Sequence, residues 1–406
     1  MPTARITSCE EDLPISYFLI VFYCLVLLPV ILAFLLWLPS AFAYTGNYAS
    51  QSINGTLLLS PLAELAVADA LGGGLEMRSA EQLKDEDLTK FHVRPDVGFN
   101  EGYQPGMITD DTWMTIGLMR AVVEANTKVD QRLTPDILLQ SYRYVYDLES
   151  KLMTWSDVKG KWWGGIEPVL RGDVDYAKWI SKKKNDTSDP GNGSVMRAHI
   201  LGYLESEQEV VQFAEQDAMF SHPHPIAIDC SRIIARLVYD IVHKGLTLDR
   251  VIRRAIKYAQ EDRVKAYLLA VDQLPYEKLP IDATKSVCTE NDKALYKLKR
   301  GGTGVPCSAL PTLAAALYVA KHTENVTFGS PYTAMAYAIR MGGDTDSVAI
   351  VATALVTARQ RTYGEPSAVF LKEFLSPPSL NLDELRHQLY FKQELYDHVQ
   401  MYKPLV

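Results

Sequence analysis

Gly342-Gly343-Asp344-Thr345-Asp346-Ser347 runs directly into Val348 through Gln360, an Ala- and Val-rich stretch without Gly or Pro. Two carboxylates two residues apart, flanked by hydroxyls and preceded by a glycine pair, read as a turn that opens a helix near Asp346. A helix N-terminus carries positive partial charge and tolerates acidic groups. Thr109-Asp110-Asp111-Thr112 repeats this chemistry far upstream, ahead of a helical run to about Glu124. Adjacent aspartates repel, and burying both is costly unless a cation sits between them. Either motif alone reads as well as an N-cap with a solvated acidic turn. Together, each opening an apolar helix, they favour a divalent metal centre. Carboxylates, hydroxyls and backbone carbonyls are the hard donors that Mg²⁺ or Mn²⁺ prefers.

The rest of the chain carries the same helical period. Leu62, Leu65, Ala66 and Asp69 recur at spacings of three and four, ending at Gly72-Gly73-Gly74. After Pro225, Ile226, Cys230, Ile233, Leu237 and Ile241 mark one face of a helix to about His243. Few segments alternate with period two and no internal repeat is visible, so the expected fold is all-α. A glycine run stops a helix and lets backbone approach a ligand. Glu76, just beyond it, reads either as a solvated loop acid or as a carboxylate swung over a site.

With 406 residues, 48% of them hydrophobic, the chain can bury one large domain or two ordinary ones. A net charge of −8 without a basic block argues against nucleic acid as the main ligand. The five cysteines, Cys9, Cys24, Cys230, Cys288 and Cys307, show no CxxC and no His/Cys ligand spacing. Neither a zinc site nor a disulfide framework is expected.

Leu13 to Ala63 holds no charged residue, and 13–38 is almost wholly apolar. At about 1.5 Å per residue that length crosses a bilayer core of roughly 30 Å. Pro29 would kink the span, and Trp37 and Tyr44 sit where interfacial aromatics belong. A signal peptide competes, because Ala41-Phe42-Ala43 resembles a cleavage site, but the apolar region is longer than such a leader needs. The expected organisation is therefore a tail over 1–12, a single membrane span over 13–38, a linker over 39–58 and one domain over 59–406. Arg5 ahead of the span, with no Lys or Arg after it until Arg78, leans towards a lumenal or extracellular domain. Sequons at Asn54, Asn185, Asn192 and Asn325 are compatible with that side.

Three further stretches do not suit plain helix. Gly191-Asn192-Gly193-Ser194-Val195-Met196-Arg197 is a Gly-rich turn entering a helix, which suits a phosphate as well as it suits an ordinary helix start. Ser221-His222-Pro223-His224-Pro225 precedes the Ile226 helix, and its histidines are expected to hydrogen-bond substrate rather than metal. Gly301-Gly302-Thr303-Gly304-Val305-Pro306 is a flexible turn before an apolar helix over Leu310–Ala320.

Thr109–Thr112, Gly191–Arg197, Ser221–Pro225 and Gly342–Ser347, in this order along the chain, resemble the motifs of the ADP-ribosylglycohydrolases, also called ADP-ribosyl-acceptor hydrolases, a group that includes the dinitrogenase reductase-activating glycohydrolase. The resemblance spans about Leu59 to Gly364. It implies an all-helical fold with a binuclear Mg²⁺ (or Mn²⁺) centre. Matched position by position, Thr109, Asp110, Asp111, Asp344, Asp346 and Ser347 would be metal ligands. Asn192, Gly193, Ser194, His222, Gly304 and Val305 would contact ADP-ribose, and Glu76 would close over the site. Glu76 and Asp111 are the candidate catalytic acids. The implied partner is an ADP-ribosylated protein or a small ADP-ribose conjugate, met by a monomeric catalytic domain. The departures are Ala68 for the first Gly of the segment Ala68-Asp69-Ala70-Leu71-Gly72, Ile108 for an aromatic, and Ser347 for Thr. None removes a ligand. Two rivals remain at this stage: an inactive ADP-ribose-binding or structural member of the fold, and a membrane phosphohydrolase.

Overall fold

The computed structural model describes residues 56–92, 105–126, 128, 132–152, 164–274, 302–327 and 330–363. The expected span at 13–38, and the tail before it, lie outside the described residues. Among the described residues no helix is long and apolar enough to cross a membrane. Those residues are all-helical, with isolated backbone bridges and no strand.

The helices in the first half are α1 (Thr56–Gly73), α2 (Ala80–Leu83), α3 (Asp110–Asn126), α4 (Pro135–Leu152), α5 (Glu167–Leu170), α6 (Tyr176–Lys184) and α7 (Val195–Ala198). They continue as α8 (Glu207–Ser221), α9 (Pro225–Lys244), α10 (Val251–Tyr258), α11 (Asp262–Asp272), α12 (Ala309–Thr327), α13 (Pro331–Arg340) and α14 (Thr345–Tyr363). α1 begins at Thr56, inside the segment expected to be linker, and runs through Gly73. α14 starts one residue before the expected Asp346.

α14 is the axis of the molecule. Every residue from Val348 to Ala358 is buried, because α1, α9, α12 and α13 pack around it. A helix buried on all sides must be apolar all round, and its alanines let neighbouring backbones come close. Thr353 and Thr357 are the polar exceptions in that stretch, and one is satisfied across the packing: the Thr357 hydroxyl donates to Glu64 of α1 at 2.6 Å.

α9 is built as its period predicts. Pro225 occupies the first turn, the His224 ring nitrogen accepts from the Ile226 amide at 3.2 Å, and Gly245 closes the far end at φ +68°. Its face of Ile226, Cys230, Ile233, Leu237 and Ile241 is buried against α8, α14 and a 3₁₀ turn at His199–Tyr203. This frame brings the N-terminal ends of α3 and α14, the α7 turn and the α8–α9 corner to one cavity.

Candidate metal centre and active site

The Gly342–Gly343 turn is the keystone of the acidic wall. Both glycines adopt left-handed backbone, at φ +71° and +80°. One edge of the turn pairs with the segment after Glu76: the Met77 amide donates to the Gly343 carbonyl at 2.7 Å, and the Gly343 amide to the Arg78 carbonyl at 2.8 Å. The other edge pairs with Val305, whose amide donates to Gly342 at 2.8 Å and whose carbonyl accepts from the Asp344 amide at 2.9 Å. A Cβ on Gly343 would overlap the Val305 carbonyl oxygen. Glycine is therefore required by φ and by space. The Thr345 hydroxyl donates to the Gly72 carbonyl at 2.8 Å, seating the start of α14 on the end of α1.

Asp69 of α1 does the same for the second acidic turn. Its buried carboxylate accepts from the Thr109 amide at 2.9 Å, the Thr109 hydroxyl at 2.7 Å and the Thr112 amide at 3.1 Å, and also from the Thr112 hydroxyl. Burial pushes this acid up to about 6 against those hydrogen bonds. Held this way, Asp110 and Asp111 face Asp346. Burial, then repulsion from Asp346 and Asp69, drives both well above the ordinary carboxylate range. Asp344 is raised by burial and by Glu76, with hydrogen bonds from Asp346, Asn192 and Ser347 opposing.

This donor set fits a hard divalent cation. One Asp111 oxygen, Oδ1, is buried without a hydrogen-bond partner, a costly state for a carboxylate unless a cation completes it. The Thr109 hydroxyl donates to Asp69 and accepts from the Asp111 amide at 3.2 Å, so a second lone pair remains. Asp110, Asp111, Asp344, Asp346, Thr109, Ser347 and Glu76 all line one cavity of about 300 Å³.

The opposite wall comes from the α7 turn and the α8–α9 corner. Asn192 lines the cavity, but its amide is spent on Asp344 and on the Thr312 hydroxyl at 2.9 Å. Gly193 lies beneath the His222 ring, where a Cβ would stand 2.7 Å from Cε1. Burial, then Arg197 and Lys183, lower His222 to about 3, so its ring is neutral.

Behind this wall lies a buried network. Arg197 donates to Asp217 at 2.9 and 3.1 Å, to the Ser221 hydroxyl at 2.6 Å and to the Gly193 carbonyl. The Tyr142 hydroxyl donates to the same Asp217. Ser221 Oγ stands 2.9 Å from His222 Nδ1. Arg197 already donates to Oγ, so the Ser221 hydroxyl proton is available to Nδ1 of the neutral ring. In that tautomer Nε2–H is the ring's donor.

Three of the expected substrate contacts lie elsewhere. Ser194 is buried, and its hydroxyl accepts from Ser231 of α9 at 3.0 Å. Gly304 and Val305 do not line the cavity, and Val305 pairs by its backbone with the Gly342–Gly343 turn. The helix entered by the Gly191 stretch is a single turn, and its Val195 and Met196 amides already donate to the Asn192 carbonyl. Little helix dipole is left for a phosphate.

Conversely, the cavity is lined by groups the sequence did not single out. Trp179 and Lys183 project from α6, with the Trp179 ring nitrogen donating to the Gly165 carbonyl at 2.8 Å. Lys183 is the middle of a three-lysine run that a charge count could have flagged. Cys307 enters from the turn before α12. Asp69, Tyr142 and Asp217 act from behind the walls, and no local pattern marks them.

A family model described as ADP-ribosylglycohydrolase matches residues 62–368. No curated protein matches the chain.

Proposed function

The chain belongs to the ADP-ribosylglycohydrolase family, and from that premise we propose that it hydrolyses the N- or O-glycosidic bond joining ADP-ribose to a protein side chain or small acceptor, with two Mg²⁺ (or Mn²⁺) ions as cofactors. The observation that carries the metal dependence is the mutually repelling set of half-buried Asp110 and buried Asp111 and Asp346, with Asp111 Oδ1 unpaired. Those three, with Asp344, Thr109 and Ser347, would hold the ions. When bound, such ions fix ribose hydroxyls and lower the pKa of a water.

The protein groups divide the remaining work. Cleavage at the anomeric carbon builds positive charge on the sugar, which a wall of carboxylates stabilises. In this reading Glu76, half-buried at the cavity, takes the proton of the attacking water. His222, neutral and offering Nε2–H, is suited to donate to a ribose hydroxyl or to the leaving group. Lys183 and Trp179 supply a cation and an aromatic face for the diphosphate and adenine.

Incubating the purified chain with Mg²⁺ and peptides ADP-ribosylated on arginine or serine tests the reading. Release of free ADP-ribose, stopped by a chelator, is expected. Phosphate release, or binding without turnover, would refute it. We also propose that residues 13–38 anchor the chain in a membrane, a reading that rests on their sequence. A glycosidase-shift assay on the sequons gives the side. Asn192 is buried against Asp344 and would not carry a glycan on the folded chain, whereas Asn185 is exposed.

A further inference from the structure

The cavity contains one thiol, a donor too soft for a magnesium centre. Cys307 is a free thiol, exposed to the cavity. Its sulfur, a Glu76 oxygen and an Asp344 oxygen all lie within 4.8 Å of one another. The thiol donates a hydrogen bond to Asp344. These three residues come from three separate segments, and the Gly342–Gly343 turn and its two backbone pairings hold those segments together.

We propose that Cys307, Glu76 and Asp344 form a binding site for a thiophilic divalent cation of the Zn²⁺ or Cd²⁺ class, and that filling it switches the active site off. One sulfur and two carboxylate oxygens form a donor set that zinc accepts, with Zn–S near 2.3 Å and Zn–O near 2.0–2.2 Å. Bonds of that length place tetrahedral ligand atoms roughly 3.5 Å apart, so separations that all lie within 4.8 Å need to close by no more than about 1.3 Å. Asp344 is fixed by the Asn192 amide and by its own backbone N–H, which donates to the Val305 carbonyl. The movement therefore falls to the side chains of Glu76 and of the exposed Cys307, not to their backbone.

The open cavity leaves the fourth position to water. Magnesium and manganese take oxygen donors and do not compete for sulfur. A second observation points to a cation on this wall: Asp111 Oδ1 lines the same cavity, buried and without a hydrogen-bond partner.

Binding exchanges a proton for the metal. The S–H bond breaks, a sulfur–metal bond forms, and the proton leaves to water with no change of oxidation state. Inhibition follows because the soft cation occupies Glu76 and Asp344, which the hydrolysis needs. The binding is independent of the proposed hydrolysis, and only the inhibition rests on it.

The test is a Cd²⁺ titration of the full chain in excess Mg²⁺, read by the ultraviolet sulfur-to-cadmium charge-transfer band. The wild type should give a saturating band that is missing in Cys307→Ser and Cys307→Ala. Glu76→Gln should keep the band and weaken affinity by about tenfold or more. A band unchanged in both cysteine variants, or absent from the wild type, overturns the site. Far-ultraviolet dichroism of each variant checks the fold, and Cys307 lies on a loop outside the packed core.

For inhibition, Zn²⁺ should lower the rate of ADP-ribose release in the wild type. The half-inhibitory concentration should rise by about tenfold or more in Cys307→Ser, relative to that variant's own rate. Equal inhibition of both chains removes the regulatory claim. Cys307-dependent cadmium binding in a chain that hydrolyses nothing upholds the site and sinks the functional reading instead.

Discussion

Replacing Arg197 with methionine removes the cation from the buried network behind the substrate wall. Arg197 and Asp217 are both fully buried and joined by two hydrogen bonds of 2.9 and 3.1 Å. The substitution strands the Asp217 carboxylate, which costs about 3–5 kcal/mol. Methionine refills most of the aliphatic stem, so little of the loss is a packing defect. With a urea slope of about 3 kcal/mol per molar for a domain this large, the unfolding midpoint should drop by about 1 to 1.7 M. Asp217→Leu added to Arg197→Met removes the stranded charge, so the double variant should be more stable than Arg197→Met alone. The Gly193 carbonyl and Ser221 lose their donor, so KM should rise more than kcat falls. A midpoint shift below about 0.3 M, or strictly additive costs in the cycle, would refute the network's place as the brace of that wall.

Asp111→Asn and Asp346→Asn should each abolish metal-dependent release of ADP-ribose while leaving the far-ultraviolet dichroism unchanged, and an unaltered rate would remove either residue from the centre. Glu76→Gln should slow turnover far more than it weakens ADP-ribose binding, measured by calorimetry beside single-turnover rates. Gly343→Ala forces a side chain into left-handed backbone against the Val305 carbonyl, and should lower the melting temperature by an amount equivalent to about 2 kcal/mol or more. Burial lowers His199 to about 3, against about 6.5 for a free imidazole. The unfolded chain therefore binds more protons between those values. The stability this contributes is full above about 6.5 and is lost as pH falls towards 3, at up to about 1.4 kcal/mol per pH unit. His199→Leu should flatten the midpoint-versus-pH curve over that window.

What could be read from the chain was what is written locally. Asp110–Asp111 and Asp344–Asp346 declare themselves because acids at the start of apolar helices make a short pattern, and α3, α9 and α14 follow from the 3.6-residue period. The glycine pair at 342–343 announces a turn but not its partners, since bonds to Arg78 and Val305 cross from distant segments. Asp69 read as one more position on a helical face. Only folding shows that its carboxylate points at Thr109 and Thr112. The phosphate reading of the Gly191 stretch overestimated α7, whose single turn gives way to a 3₁₀ segment. Cys307 escaped notice because metal-ligand spacing is a rule about neighbours in sequence, and Glu76, Cys307 and Asp344 are neighbours only in space.

The doubly paired Gly342–Gly343 turn has a consequence for how the site can change. Two peptide planes serve as a common spine for the loop bearing Glu76, the loop bearing Cys307 and the entrance to α14. No one of these can drift without dragging the others. Loosening of the Glu76 loop should therefore register as faster amide hydrogen exchange at Val305 and Asp344, far along the chain from the disturbance.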